Sequence, residues 1–253
     1  MKQNPFDLTG QTALITGGGT GLGFGIAKCS VAAGARVVLV GRRESELNKA
    51  CSSLGKNAFA LRGDVNQLDA APALLAAAEK LAGPISILIN NAGVHLKKDA
   101  LRTTDAEFAS VLQTHVFGAF ALTREAGRRM IERKSGNVLF IASMASFLGI
   151  PKIIAYSTAK TATLGLVRAL AMEWGDAGVR VNAIAPGWIH SDMMAKALDN
   201  DPPRKTKILG RTPLGGFGEA EDIGWAAVYL CSPAGKFVTG AVLPLDGGAA
   251  IGF

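Results

Sequence analysis

Seven short runs of apolar and β-branched residues, each followed by a stretch of helical periodicity, most constrain how this chain can fold. The runs lie at 12–16, 36–40, 58–61, 85–89, 136–142, 180–185 and 241–244. They do not alternate apolar with polar as a half-exposed strand does, so both faces of each strand must be covered. Helical patterns fall between them at about 21–33, 43–54, 67–82, 104–133, 155–175 and 219–231. A β-α-β alternation of this kind predicts an α/β fold: a doubly wound, Rossmann-type parallel sheet of about seven strands with helices on both faces. The chain has 253 residues, which suits one large domain spanning 1–253. The longest stretch outside the alternation, about 188–218, carries Pro202-Pro203, Pro213 and several glycines. Its place after a strand's C-terminal end predicts a lid over a substrate site.

Composition narrows the function classes. The formal net charge is +7, but the basic residues are dispersed. The densest groups are Arg42-Arg43, Lys97-Lys98, Arg128-Arg129 and Arg204-Lys205-Thr206-Lys207. None interleaves with aromatic residues as a nucleic-acid stacking surface would, so no nucleic-acid partner is expected. No apolar run reaches the ~18 residues of a membrane span, and the first residues lack the hydrophobic stretch of a signal peptide. Cys29, Cys51 and Cys231 are odd in number and have no metal-ligand spacing. They read as reduced thiols, and a cytoplasmic protein without a metal site is expected.

Two motifs carry chemistry. Leu14-Ile-Thr-Gly-Gly-Gly-Thr-Gly-Leu-Gly23 leaves the first strand and opens the first helix. Gly17, Gly21 and Gly23 there permit a tight turn and close approach of backbone N–H groups to a pyrophosphate. Further on, Tyr156 and Lys160 stand four residues apart in a helical stretch, which puts both side chains on one face. An ammonium beside a phenol favours the phenolate, so the pair is expected to bring the tyrosine pKa down towards neutrality.

Together with Asn90-Asn-Ala-Gly93, Ser143 and Asn182-x3-Pro-Gly187, in this order and at these spacings, the two motifs resemble the short-chain dehydrogenase/reductase family over essentially the whole chain. Ser143 lies 13 residues before Tyr156, as the family pattern requires. The segments 140–146 and 185–192 are most similar to gluconate 5-dehydrogenase-like sugar-acid and polyol dehydrogenases. The resemblance implies an oxidoreductase that transfers hydride between a nicotinamide dinucleotide and a secondary alcohol or ketone. Tyr156 would be the general acid/base, Ser143 would hydrogen-bond the reacting oxygen, and Lys160 would lower the Tyr156 pKa and hold the nicotinamide ribose. The implied cofactor set is Gly17, Gly19, Thr20, Gly21, Leu22 and Gly23 in the first turn; Arg42, Asp64 and Val65 around the adenosine; Asn91, Ala92 and Gly93 after the fourth strand; and Pro186, Gly187, Ile189 and Ser191 beside the nicotinamide, with Tyr156 and Lys160. Asn90, Asn182 and Asp246 read as structural, and Ser146 as a turn residue. His95, Ser143, Ala145, Ile153, Tyr156 and Trp188 are the substrate candidates. Met144 and Phe147 are expected in the same wall, and His190 beside it. The apolar tail 247–253 and the helices 104–133 and 155–175 imply a homotetramer.

Two positions depart from the common pattern. Where an acidic residue at the end of the second strand would bind the ribose diol, this chain has Gly41 followed by Arg42. A guanidinium suits a 2′-phosphate, so NADP(H) is favoured over NAD(H). His115 occupies the position of a family asparagine whose side chain supports a distortion of the long helix. It reads either as a structural hydrogen bonder or, being titratable near neutrality, as a member of the proton relay. Alternative readings are a 3-oxoacyl-carrier-protein-type reductase, for which Arg128-Arg129 would be the docking patch, a hydroxysteroid-like dehydrogenase, and a dinucleotide-sensing binding protein. Basic residues of the lid, Lys205, Lys207 and Arg211 with Arg204, are candidates for attracting an acidic sugar.

Overall fold

A computed structural model of the chain describes residues 4–190 and 202–252. Its strands are β1 (Thr12–Thr16), β2 (Arg36–Gly41), β3 (Ala58–Arg62), β4 (Ile87–Asn90), β5 (Gly136–Ile141), β6 (Val179–Pro186) and β7 (Val242–Leu245). All pairs are parallel and form a single sheet in the order β3-β2-β1-β4-β5-β6-β7.

The apolar runs explain the two-sided covering directly, because successive strand residues point to opposite faces. Leu14, Val38, Val40, Leu88, Val138 and Phe140 belong to one buried cluster. Ala13, Ile15, Val37, Leu39, Ile87 and Ile89 belong to the other. Helices α3 (Ala71–Ala82), α5 (Ala119–Glu132) and α6 (Ile154–Trp174) cover the first face; α1 (Gly21–Ala32), α2 (Glu44–Leu54) and α8 (Ala220–Cys231) cover the second. Among the described residues the remaining α-helices are α4 (Asp105–Leu112) and α7 (Pro202–Arg211).

The structure differs from the expected elements at two instructive places. The fourth strand begins at Ile87 rather than residue 85, although Ile85 is fully buried. The Ile85 N–H is taken by a Glu79 carboxylate oxygen (3.2 Å), and Ser86 bridges to Thr12 on the neighbouring strand. The expected helix over 104–133 is interrupted. α4, capped by a reciprocal Thr104–Glu107 box, passes into a π-helical turn, Gln113–Gly118, before α5 resumes. The Gly118 backbone lies so close to the Val65 carbonyl that a Cβ would stand 2.6 Å from its oxygen.

The strand order reverses direction between β1 and β4. At such a switch point the loops leaving the two strands diverge to opposite faces, and a crevice opens at the strands' carboxyl ends.

Candidate active site

Thr16, the last residue of β1, holds that crevice in shape. Its hydroxyl donates to the Ile89 carbonyl (3.3 Å) and accepts the N–H groups of Asn91 and Ala92 (each 3.0 Å). Asn91 Nδ2 returns hydrogen bonds to the carbonyls of Thr16 (2.9 Å) and Gly17 (3.2 Å). The amide side chain thus pins the glycine turn, while Asn90 Nδ2 bonds the Thr123 hydroxyl (2.8 Å) behind it. Gly17 and Gly21 have φ of 66° and 56°, the left-handed region that disfavours side chains. Helix α1 opens on Thr20 with no side-chain cap and no acidic residue in its first turn. Its unpaired N–H groups and positive dipole end therefore suit an anion.

A cleft of about 750 Å³ crosses these turns. One end lies beside Gly41, Arg42 and Arg43, and Asp64 and Val65 line it further along. Arg43 N-caps α2 and reaches Thr20 Oγ1 (3.3 Å), closing over the glycine turn. Asp64 Oδ1 accepts the Asn66 N–H (3.0 Å), and Asn66 in turn receives Gln113 and Thr114 from the π turn.

Ser143, Tyr156 and Lys160 meet at the other end. Ser143 follows β5, its Oγ accepting the Ala145 N–H (3.1 Å), and its hydroxyl favours the ionised form of the Tyr156 phenol. One turn along α6, Lys160 Nζ lies 5.6 Å from the Tyr156 ring centre and donates to the Ile141 carbonyl (2.6 Å). Ser146, between the two, donates to the Lys160 carbonyl (2.8 Å).

The electrostatics correct one expectation. Burial pushes the Tyr156 phenol above its ordinary pKa, with the Ser143 hydroxyl pulling it back, and burial brings Lys160 down to about 8. The ammonium expected to stabilise the phenolate is itself penalised by desolvation and is turned to a main-chain carbonyl.

His115 is open to two readings from sequence, and its geometry matches the structural one. Its ring is buried in the π turn, edge-on to Tyr156 with 5.4 Å between ring centres. Nε2 faces both main-chain groups of Val94, 3.1 Å from the nitrogen and 2.8 Å from the oxygen. The ring fills the space beside Gly93, where a Cβ would collide with Cε1. Burial first, and Lys160 second, hold its pKa down at about 3. It therefore does not titrate near neutrality, and the geometry is that of a structural hydrogen bonder. The unfolded chain takes up this proton near the ordinary 6.5 and the folded chain not until about 3. Stability accordingly falls as pH drops through that window. His115→Asn is expected to lessen that slope in chemical denaturation between pH 6.5 and 4. It should leave the inflection of the pH–rate profile above pH 5 in place; a shifted inflection would restore the relay reading.

A family model described as enoyl-(acyl carrier protein) reductase matches residues 17–250. Galactitol 2-dehydrogenase (L-tagatose-forming) of Cereibacter sphaeroides is 40% identical over 246 residues, 96% of each chain. The 2-dehydro-3-deoxy-D-gluconate 5-dehydrogenase of Bacillus subtilis (strain 168) is 39% identical over 246 residues, again 96% of each. The crystal structure of a gluconate 5-dehydrogenase from Burkholderia cenocepacia J2315, in complex with NADP and tartrate, superposes with a TM-score of 0.92 at 30% identity over 98% of both chains. The chain belongs to the short-chain dehydrogenase/reductase family.

Within this short-chain dehydrogenase/reductase, the expected cofactor residues Gly17, Gly19, Thr20, Gly21 and Leu22 line the cleft, as do Ala92, Gly93, Pro186, Gly187 and Ile189. Gly23 instead sits beneath the turn, packed against Gly17 and Asn91. Ser191 and residues 191–201 of the expected lid lie outside the described residues. Asn182 bridges Val238 and Ala241, and Asp246 accepts the Gly248 and Ala250 N–H groups, so both tie down the sheet's end and tail.

A smaller compartment of about 180 Å³ adjoins Tyr156. His95, Met144, Ala145, Ile153 and Trp188 line it as expected. Phe147 is instead an exposed residue away from this wall. Lys97, Ile150 and Pro151 line the compartment unanticipated, as do Arg43, Glu46 and Thr114 in the main cleft. Only Arg43 had a signal, its place beside Arg42. Of the lid's basic residues, Arg211 Nε donates to the Ala249 carbonyl (3.0 Å) and so anchors the tail.

Proposed function

We propose that the protein interconverts a secondary alcohol and a ketone on a sugar acid or polyol, using NADP(H) in preference to NAD(H). The convergence of Ser143, Tyr156 and Lys160 at one end of the cleft carries this reading. The glycine turn fits a dinucleotide, because its open N–H groups and the missing side chains at Gly17 and Gly21 leave backbone to cradle a pyrophosphate. When bound, the nicotinamide supplies or accepts hydride. In carbonyl reduction Tyr156 would give its phenolic proton to the developing alkoxide, Ser143 would steady that oxygen by hydrogen bonding, and Lys160 would help hold the ribose; alcohol oxidation reverses the proton's path.

The cofactor preference rests on the end of β2. Gly41 offers no carboxylate to a ribose diol, and Arg42 and Arg43 stand exposed beside it. Residues 188–218 would act as lid. The exposed Phe117 and Phe120, with Ile251 on the tail, support assembly into a homotetramer. Three free thiols fit a cytoplasmic setting. The acyl-carrier reading gains little from Arg128 and Arg129, which pair with Glu125 and Glu79.

The test is fluorescence titration with NADPH and NADH, followed by turnover of sugar acids, polyols and ketones. NADPH should bind at least about tenfold more tightly than NADH, and Arg42→Ala should cut that preference by a similar factor. NADH preference would overturn the cofactor assignment alone. Binding without any turnover would favour a dinucleotide sensor.

A further inference from the structure

The loop that follows Gly93 carries a group whose surroundings bear on the substrate's charge. Its two lysines are Lys97 and Lys98, and Lys98 meets Lys152 from the segment before α6. Lys98 bonds both carboxylate oxygens of Glu107 (2.7 and 2.8 Å), and its N–H donates to the Lys152 carbonyl (2.7 Å). Lys152 in turn pairs with Asp99 (3.5 Å). These contacts fasten the loop to the segment before α6. Lys97 stands between His95 and Lys98, has no ion pair among the described residues, and lines the compartment beside Tyr156.

The rest of that compartment sharpens the point. His95 is its other basic side chain, with ring centres 5.1 Å from Tyr156. Ile150, Pro151, Ile153 and Trp188 make it largely apolar, and no aspartate, glutamate, asparagine or glutamine lines it among the described residues. A neutral polyol needs acceptors for its hydroxyl protons, and among the described side chains of this wall only Ser143, Tyr156 and His95 can accept. A carboxylate finds an exposed cation with no ion pair among the described residues, set beside a partly apolar wall.

We infer that Lys97 is a specificity-determining residue that binds the carboxylate of a polyhydroxylated acid, so that acids are preferred over neutral polyols at this site. The inference rests on the dehydrogenase reading and deepens it.

Calorimetric titration of the enzyme–NADP+ complex with sodium gluconate, and with galactitol as the neutral probe, tests it in wild type, Lys97→Met and Lys97→Arg. Gluconate affinity should fall about tenfold or more in Lys97→Met and stay within about threefold in Lys97→Arg, while galactitol changes less than about twofold. Equal loss for both probes overturns the assignment. So does unchanged gluconate binding in Lys97→Met, or a wild type that binds NADP+ but not gluconate. A wild type that binds neither NADP+ nor NAD+ overturns the dehydrogenase reading itself, and the Lys97 assignment falls with it; one that binds NAD+ alone overturns only the cofactor preference, and the same titration on the enzyme–NAD+ complex then decides Lys97.

Discussion

Tyr156→Phe is expected to lower kcat by about 10²–10⁴-fold, the range for loss of a general acid/base, while NADPH binding changes little. The substitution keeps the ring that packs against His95 and His115 and removes only the hydroxyl that meets Ser143. Fold and cleft should survive, so steady-state turnover and fluorescence titration on one preparation separate chemistry from binding. A variant retaining more than about a tenth of wild-type kcat would show that the proton travels by another route. The raised phenol pKa adds a second reading of the same experiment. A buried phenol is protonated at neutral pH, the form needed to reduce a ketone, so alcohol oxidation should gain more than reduction as pH rises.

Gly23→Ala is expected to weaken NADPH binding by at least about tenfold and to cost about 1–3 kcal/mol of stability, the range for overpacking a tight site. A methyl group at residue 23 would collide with the Gly17 carbonyl oxygen and stand 2.6 Å from Asn91 Nδ2. Neither neighbour can yield: one is backbone of the left-handed turn, and the other is the amide that ties this turn to β4. The control is Gly21→Ala, whose new methyl would meet nothing within 4 Å and whose cost comes only from its positive φ. Thermal melting and dinucleotide titration should rank the two variants with Gly23→Ala the worse. The reverse order would mean that backbone strain, not close packing, governs the turn.

Legibility in the sequence followed the range of the interactions. β1 coincided with its expected bounds because Ala13, Leu14 and Ile15 are apolar towards both layers and Thr16-Gly17 ends the run locally. β4 did not, because Ile85 looks like strand but gives its N–H to a glutamate on α3. The π turn was hidden for a similar reason: one extra residue in a helical repeat leaves the apolar pattern of 104–133 continuous. Ser143, Tyr156 and Lys160 stood out because their spacing is carried by one strand end and one helix. Lys97, Ile150 and Pro151 come from two loops joined by the Lys98–Lys152 contact, and nothing local marks them. The pKa directions were missed on the same grounds, since desolvation of Lys160 and His115 belongs to the packed interior rather than to neighbours in the chain.

The strand order also governs how the protein can be made. β1 leaves a ribosome well before β4, yet it occupies the middle of the sheet and its second partner is Ile87–Asn90. Until those residues emerge, a nascent β3-β2-β1 sheet ends on a bare edge, apolar at Ala13, Leu14 and Ile15, of the sort that recruits other chains. Slow translation through residues 17–86 would lengthen that exposure, whereas a pause after β4 would find the edge already covered. Synonymous codon changes on the two sides of residue 90 should therefore affect soluble yield unequally, without altering the finished molecule.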